Sequence, residues 1–148
     1  MTSSETPYHF EKIDGVSVIA LLPELNGVPW IDIENIGSRI LEQMDAQKKP
    51  LFLIDLDALT YMGSAMVALV VRLWKSVKTR NGEMAVVNND EMVLEVLNIA
   101  GLDEVWTIVD TRSEGLKVLG VSARKVRLQE MIPRSEEENR KSEKLGTG

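Results

Sequence analysis

The sequence contains no cysteine and only one histidine, His9, among its 148 residues. Without cysteine, the chain has no disulfide, no thiolate nucleophile and no zinc–thiolate site. One imidazole cannot form a cluster of histidine metal ligands, and a histidine-dependent catalytic triad would have to use His9 alone. Because these side chains are missing, we expect no cysteine- or histidine-based chemistry. Since the acidic motif at Asp55 and Asp57 departs from the known patterns that it resembles, we expect a protein that is not an enzyme and that holds no metal and no cofactor.

Long hydrophobic runs are also missing. The longest apolar run near the middle of the chain covers residues 65–71, whereas a membrane-spanning helix needs about 18 apolar residues. Residues 1–12 are polar and acidic, and they lack the basic-then-apolar order of a signal peptide. The net charge of −6 disfavours binding to the phosphates of nucleic acid. These features predict a cytoplasmic protein that neither spans a membrane nor binds nucleic acid.

The charge divides the chain into two parts. Residues 1–120 carry 18 acidic and 10 basic side chains, whereas residues 121–148 carry five acidic and seven basic ones. The final segment, residues 133–148, has a single large apolar residue and cannot bury enough surface to offset its ordering entropy. We therefore predict one domain over residues 1–120 and a charged extension over residues 121–148, with a short helix followed by a disordered tail.

Short β-branched runs alternate with segments of helical periodicity along the domain. An Asp14-Gly15 hairpin turn, an Asn81-Gly82 helix exit and a capping-box spacing from Thr111 to Glu114 mark the boundaries. The predicted strands cover residues 8–13, 16–22, 51–56, 84–87 and 105–109, and the predicted helices cover residues 32–46, 64–80, 90–100 and 111–119. This order predicts an α/β layer fold whose mixed five-stranded sheet is parallel except near its start.

Two acidic residues, Asp55 and Asp57, end the third predicted strand at the carboxyl edge of the sheet, where open α/β sheets place their sites. An apolar run ending in Asp-x-Asp resembles the first motif of haloacid-dehalogenase-type phosphatases, in which one carboxylate attacks phosphorus beside Mg²⁺. That motif continues with Gly-Thr, where this chain has Ala58-Leu59. A receiver domain would need a Lys-Pro after the last strand, where this chain has Asp110-Thr111. We favour the interpretation that both aspartates face a loop and solvate the strand end.

Ser64 opens the second predicted helix and allows two interpretations. As an N-cap, its hydroxyl would accept a hydrogen bond from a free backbone N–H, a contribution of about 0.5–2 kcal/mol. As a phosphoacceptor, it would carry a phosphate that the helix dipole stabilises by about 0.3–1 kcal/mol. The phosphate would add a charge of about −1.5 to −2 to the surface of this chain at which a partner would bind. Spacing alone does not separate the two.

The helix after Ser64 is apolar on all sides of its first two turns. A helix packed on only one face of a sheet cannot bury all of these side chains. Either the helix is enclosed by other elements, or part of the group formed by Met62, Met66 and Val67 faces outward as a partner-binding patch. We favour the patch, since methionine is an adaptable contact residue.

The order of elements and several local sequences resemble the STAS family, named for sulphate transporters and anti-sigma-factor antagonists. The resemblance covers residues 10–120. The segments that carry it are LFLIDLDALTYMGSAMVALVVRLWKSVK, NGEMAVVNN, VLNIAGLDEVWTIVDT and RSEGLKVLG. It implies a STAS-like fold and a bacterial regulatory module that acts in transcription regulation and signal transduction through protein–protein interaction.

In antagonist members of that family, the loop before the long helix typically contains Met-Asp-Ser-Ser-Gly-Leu, and a partner kinase that is also the anti-sigma factor phosphorylates the first serine. Ser64 falls on the acceptor position, while Gly63, Ala65, Met66 and Val67 replace its neighbours. The resemblance implies docking through residues Met62, Gly63, Ser64, Met66 and Val67. The alternatives are a constitutive scaffold or accessory subunit, including a homodimer, and a Mg²⁺-dependent phosphatase that uses Asp55 and Asp57.

Overall fold

The computed structural model describes residues 7–44 and 49–120. Its five strands are β1 (Tyr8–Ile13), β2 (Val16–Leu21), β3 (Leu51–Asp55), β4 (Glu83–Val87) and β5 (Thr107–Val109). They lie in the order in which they occur along the chain, with β1 antiparallel to β2 and every later pair parallel. The predicted mixed sheet is confirmed. The predicted extension, residues 121–148, lies outside the described residues.

Helices connect the parallel strands. They are α1 (Trp30–Met44), α2 (Ser64–Thr79), α3 (Glu91–Ile99) and α4 (residues 112–120). Two short 3-10 helices, Pro23–Gly27 and Leu102–Glu104, were not predicted. The second of them explains why β5 is shorter than predicted, because the backbone N–H groups of Val105 and Trp106 both donate to the Leu102 carbonyl. Among the described residues, no helix has the length and apolar character needed to cross a membrane.

The chain turns where the sequence predicted it would. Asp14 and Gly15 both have positive φ angles, 49° and 85°, as a two-residue hairpin turn requires. Asn81 leaves α2 with a φ of 59°. The next residue is glycine because a Cβ at Gly82 would collide with the Pro50 carbonyl oxygen. At the start of α4, the Glu114 N–H donates to the Thr111 hydroxyl oxygen at 3.1 Å, which confirms the predicted cap.

The two faces of the sheet are covered by different elements, because successive side chains of each strand point to opposite faces. One face packs against α1, α2 and α3, and we call it the helical face. Its buried strand residues are Ile19, Leu21, Phe52, Ile54, Met84 and Val86. The opposite face packs against α4, whose Leu119 is buried together with Val16, Val18, Leu53, Ala85 and Val87. The loop at the carboxyl end of β3 crosses to the helical face and begins α2.

The apolar start of α2 is largely enclosed. Its buried side chains are Met66, Leu69, Val70, Leu73 and Val77. One flank meets α1, where the hydrogen-only side chain of Gly37 leaves room for Arg72 and Leu69. The other flank meets Trp106, whose ring lies 6.4 Å from that of Trp74 in an edge-to-face arrangement. The sequence left two alternatives for the apolar residues of this helix, enclosure by other elements and an outward-facing patch. Enclosure explains where most of these side chains lie.

Candidate functional site

The loop between β3 and α2, residues 56–63, is held against the sheet by buried apolar side chains. Leu56 and Leu59 are fully buried, and Met62 is 3% exposed. The Leu56 N–H donates to the Val87 carbonyl at 2.9 Å, and the Leu59 N–H donates to the Leu56 carbonyl at 2.9 Å. The loop therefore leaves the sheet as a packed turn that delivers Ser64 to a defined position.

Two asparagine side chains from other parts of the chain hold the loop backbone. The Asn88 amide, buried directly after β4, donates to the Leu56 carbonyl at 2.8 Å. The Asn26 amide, in the first 3-10 helix, donates to the Tyr61 carbonyl at 2.9 Å, and its oxygen accepts from the Gly63 N–H at 3.0 Å. Both ends of the loop are thus tied by side-chain hydrogen bonds.

Ser64 is the first residue of α2, and Gly63 occupies the N-cap position. The N-cap interpretation of Ser64 is therefore wrong by one residue: the Gly63 carbonyl accepts from the N–H groups of Met66 and Val67, both at 3.1 Å. The Ser64 side chain is exposed. No acidic residue stands in the first turn, so the positive end of the helix dipole is not offset locally.

The predicted docking methionines are not at the surface. Met66 is 1% exposed and, like Met62, belongs to the core of the helical face, and Val67 is half-buried. The prediction that the methionines face a partner is wrong, because residues 62 and 66 lie on the side of the loop and helix that meets the sheet. The two methionine side chains pack in the core, so the side chains that face solvent around Ser64 are other ones.

Two large apolar side chains near the start of α2 are exposed, Trp30 at 65% and Tyr61 at 60%. Trp30 lines a groove together with Ala65 and Ala68 of α2. The Tyr61 hydroxyl lies next to Gly63, 3.4 Å from the position that a Cβ would take there. We call Trp30, Tyr61, Ser64 and Ala68 the Ser64 surface.

An arginine fixes α1, and with it Trp30, against α2. Arg72 donates to the Glu34 carbonyl at 3.0 Å and to the Ser38 hydroxyl at 2.9 Å, and it also forms an ion pair with the Glu34 carboxylate at 3.3 Å. The ion pair is partly exposed and contributes little by itself. The bonds to the α1 backbone and to Ser38 hold the two helices in register, so the groove beside Trp30 is preformed.

The aspartates at the end of β3 have separate environments. Asp55 is 9% exposed and forms an ion pair with Arg112 of α4 at 2.8 Å, while its other oxygen accepts from the Asp57 N–H at 2.9 Å. Arg112 also pairs with Glu11 at 2.9 Å. The hydrogen bond to Asp55 raises the pKa of Arg112 above its ordinary value. The loop-facing interpretation is therefore wrong for Asp55, while Asp57 is exposed as expected.

This arrangement does not suit the phosphatase alternative. Both oxygens of the Asp55 carboxylate are engaged, one by Arg112 and one by the backbone of Asp57. Within residues 7–44 and 49–120, no group of three or more His, Asp or Glu side chains is placed to hold a metal ion. Asp55 instead joins α4 to the carboxyl end of β3.

Comparison with known protein families matches residues 11–115 to the model of the STAS domain. This chain belongs to the STAS family. Comparison with curated proteins gives no match. The predicted resemblance is confirmed, and it covers the sheet, the Ser64 loop and the first residues of α4.

Solved structures share this fold. An anti-sigma-factor antagonist (STAS) domain protein from Planctomyces limnophilus is 29% identical, with 76% of this chain and 97% of that chain covered and a TM-score of 0.65. A putative anti-sigma factor antagonist from Thermotoga maritima is 19% identical, with 76% and 93% covered and a TM-score of 0.61. The anti-sigma factor antagonist SpoIIAA, in its unphosphorylated form, is 19% identical, with 85% and 99% covered and a TM-score of 0.60.

Sequence reasoning missed several residues that shape the Ser64 surface of this STAS domain. Asn88 directly follows a buried strand, and its position in the sequence gives no indication of the distant Leu56 carbonyl to which it donates. Asn26 lies in a 3-10 helix that was not predicted, and its partner is 37 residues away. No sequence pattern distinguishes the exposed Trp30 from Trp74 and Trp106, which pack against each other.

Proposed function

We propose that this STAS domain is a non-enzymatic regulatory protein that binds an anti-sigma factor, and that phosphorylation of Ser64 switches the binding off. The observation that carries the proposal is the exposed side chain of Ser64 at the first position of α2, directly after a packed loop that carries the exposed Tyr61. The exposed Trp30 lines a groove with Ala65 and Ala68 of the same helix. Membership of the STAS family and similarity to anti-sigma-factor antagonists support it. We place the protein in the bacterial cytoplasm.

In the unphosphorylated state, the partner would cover the Ser64 surface, with Trp30 and Tyr61 as its main contacts. Aromatic side chains of this kind often dominate binding energy when a partner buries them. The Asn26 and Asn88 bonds keep the loop in one conformation, so little ordering entropy is lost on binding.

Phosphorylation would add about −1.5 to −2 charge at Ser64. The phosphate would be stabilised within this chain by the free N–H groups at the start of α2. Docking would then require desolvation of the phosphate within the interface, which is unfavourable unless the partner offers a cation. The modification would therefore leave the fold intact and weaken binding.

The test starts from affinity capture of the partner on the immobilised chain. The captured protein is purified and incubated with this chain, ATP and Mg²⁺, and Ser64 phosphorylation is measured by mass spectrometry. Binding of the partner is then measured for Ser64→Asp. The matched control is Ser113→Asp, an exposed serine near the start of α4, which packs on the opposite face of the sheet. We expect phosphate on Ser64 and an affinity about tenfold lower for Ser64→Asp alone. Absence of phosphate, together with unchanged binding by Ser64→Asp, would refute the switch.

The departures at Gly63, Ala65 and Met66 favour one alternative, a constitutive scaffold subunit without a switch. That alternative predicts wild-type assembly for both Ser64→Ala and Ser64→Asp. A charge at Met66 cannot test it, because Met66 is buried and its replacement would disturb the core. Ala68→Glu places the charge on the exposed face of α2 and would block assembly, including a homodimer, if the scaffold function holds.

A further inference from the structure

The outward face of α2 continues from Ser64 along the whole helix. Successive residues in a helix are rotated by about 100°, so residues 64, 68, 71, 75 and 78 fall within an arc of about 80°. Ser64, Ala68, Lys75 and Lys78 are exposed, and Val71 is half-buried. We call these five residues the α2 stripe. It begins with small and apolar side chains and ends with two cations.

The charge of α2 is opposite to that of the rest of the domain. Residues 64–80 contain Arg72, Lys75, Lys78 and Arg80 and no acidic residue, whereas the rest of residues 1–120 contains 18 acidic and six basic residues. The helix dipole accounts for a cation in the last turn, such as Lys78. It does not account for Lys75 or for the lack of any acidic residue along four turns.

The two lysines of the stripe are available for a partner. Arg72 is engaged by Glu34 and Ser38 of α1. Within the part of the chain that the structure describes, neither Lys75 nor Lys78 has a carboxylate within ion-pair distance. The Lys78 ammonium lies 6.0 Å from the Trp74 ring centroid, a contact that leaves its charge uncompensated.

We infer that the partner of the Ser64 surface carries an acidic patch that faces Lys75 and Lys78, so that the stripe sets the orientation of the complex. This inference rests on the proposed function. Small side chains at Ser64 and Ala68 allow a close approach at one end of the stripe. At the other end, complementary charge steers the encounter and excludes the reversed orientation.

The same arrangement explains how a phosphate on Ser64 would act. Lys75 and Lys78 lie 11 and 14 residues beyond Ser64, which is about 16 Å and 21 Å along the helix. The Debye length at physiological salt is about 8 Å. The phosphate would therefore leave the two lysines, and the acidic patch that faces them, largely unaffected, and it would act on the part of the partner next to Ser64. A charge change at each end of the stripe should then have independent effects.

The experiment measures association and dissociation rates with the purified partner captured on the wild-type chain. Two double variants are compared with the wild type. In one, Lys75 and Lys78 are both replaced by Glu, and in the milder one both are replaced by Gln. Lys117→Glu, at an exposed lysine of α4, is the control. Circular dichroism checks that each variant is folded. We expect the Glu variant to associate about tenfold more slowly at low salt with little change in dissociation rate. The difference should vanish near 1 M salt, where the Debye length is about 3 Å.

The Gln variant should fall between the wild type and the Glu variant, and Lys117→Glu should match the wild type. Adding Ser64→Asp to the Glu variant should multiply the two effects. If Ser64→Asp and Trp30→Ala weaken binding while the lysine variants do not, the inference fails and the proposed function stands. If no protein is captured, or if none of these substitutions alters binding, both fail together.

Discussion

Replacement of Arg112 by alanine tests the ion-pair network that joins α4 to the end of β3. Arg112→Ala removes the partner of the Asp55 carboxylate, whose side chain is 11% exposed, and leaves Glu11, whose side chain is 54% exposed, in water. The loss therefore falls almost entirely on the buried Asp55 carboxylate, whose other described contact is the hydrogen bond that it accepts from the Asp57 N–H.

The magnitude follows from burial. Removing one partner of a fully buried pair destabilises a protein by about 3–5 kcal/mol. Arg112 is 39% exposed, so water partly screens the pair and we expect a loss of about 2–3 kcal/mol in the free energy of unfolding. The raised pKa of Arg112 makes its contribution present at every pH below the ordinary arginine value. It would be lost only as the pH rises through the raised value, so the arginine adds no pH dependence near neutrality.

Urea unfolding at neutral pH, followed by circular dichroism, measures the loss. Glu11→Gln is the matched control, because it removes the exposed partner of the same arginine and should change stability by less than about 1 kcal/mol. Asp55→Asn removes the buried charge, so Arg112→Ala should be less harmful in that background than in the wild type. Equal losses for Arg112→Ala and Glu11→Gln, or strict additivity of Arg112→Ala with Asp55→Asn, would contradict this account.

Three further substitutions test the Ser64 loop and its helix by the same urea measurement. Asn88→Ala removes one of the two donors to the buried Leu56 carbonyl, which keeps the Leu59 N–H, and should lower stability by about 0.5–1.5 kcal/mol; no loss would show that water replaces the amide. Met66→Ala opens the core and should lower stability by about 2–5 kcal/mol, whereas Ala68→Glu should stay near the wild type, and equal effects would contradict the burial described here. Ser64→Asp should be neutral or stabilising by up to about 1 kcal/mol because its charge lies at the helix N-terminus, and clear destabilisation would exclude that geometry.

The order of elements could be predicted because it depends on local signals. Periodicity, the Asp14-Gly15 turn and the Thr111 cap each act within a few residues, and all are present in the structure. The resemblance to the STAS family predicted the fold because its segments fall on β3, α2, β4 and α3. The length of β5 was overestimated, because the 3-10 helix before it extends its hydrogen bonding to the N–H group of Val105.

The surface of the candidate site was harder to predict, because it depends on which side of a short loop meets the core. Met62 and Met66 were expected at the surface on the basis of residue type, yet both belong to the core of the helical face. The exposed ring of Trp30 comes from a different helix, and its place beside α2 depends on Arg72 and Gly37. Such contacts between distant segments leave no periodic pattern in the sequence.

The hydrogen bonds from Asn26 and Asn88 to the Ser64 loop determine which substitutions outside the surface would disturb the site. Each amide comes from a segment that is distant in sequence from Ser64, and neither is part of the exposed Ser64 surface. If the proposed function holds, a substitution at either asparagine would weaken partner binding while every residue of the Ser64 surface is unchanged. A genetic screen for loss of that binding should then recover these two positions alongside Trp30 and Tyr61, and a comparison of surface residues alone would overlook them.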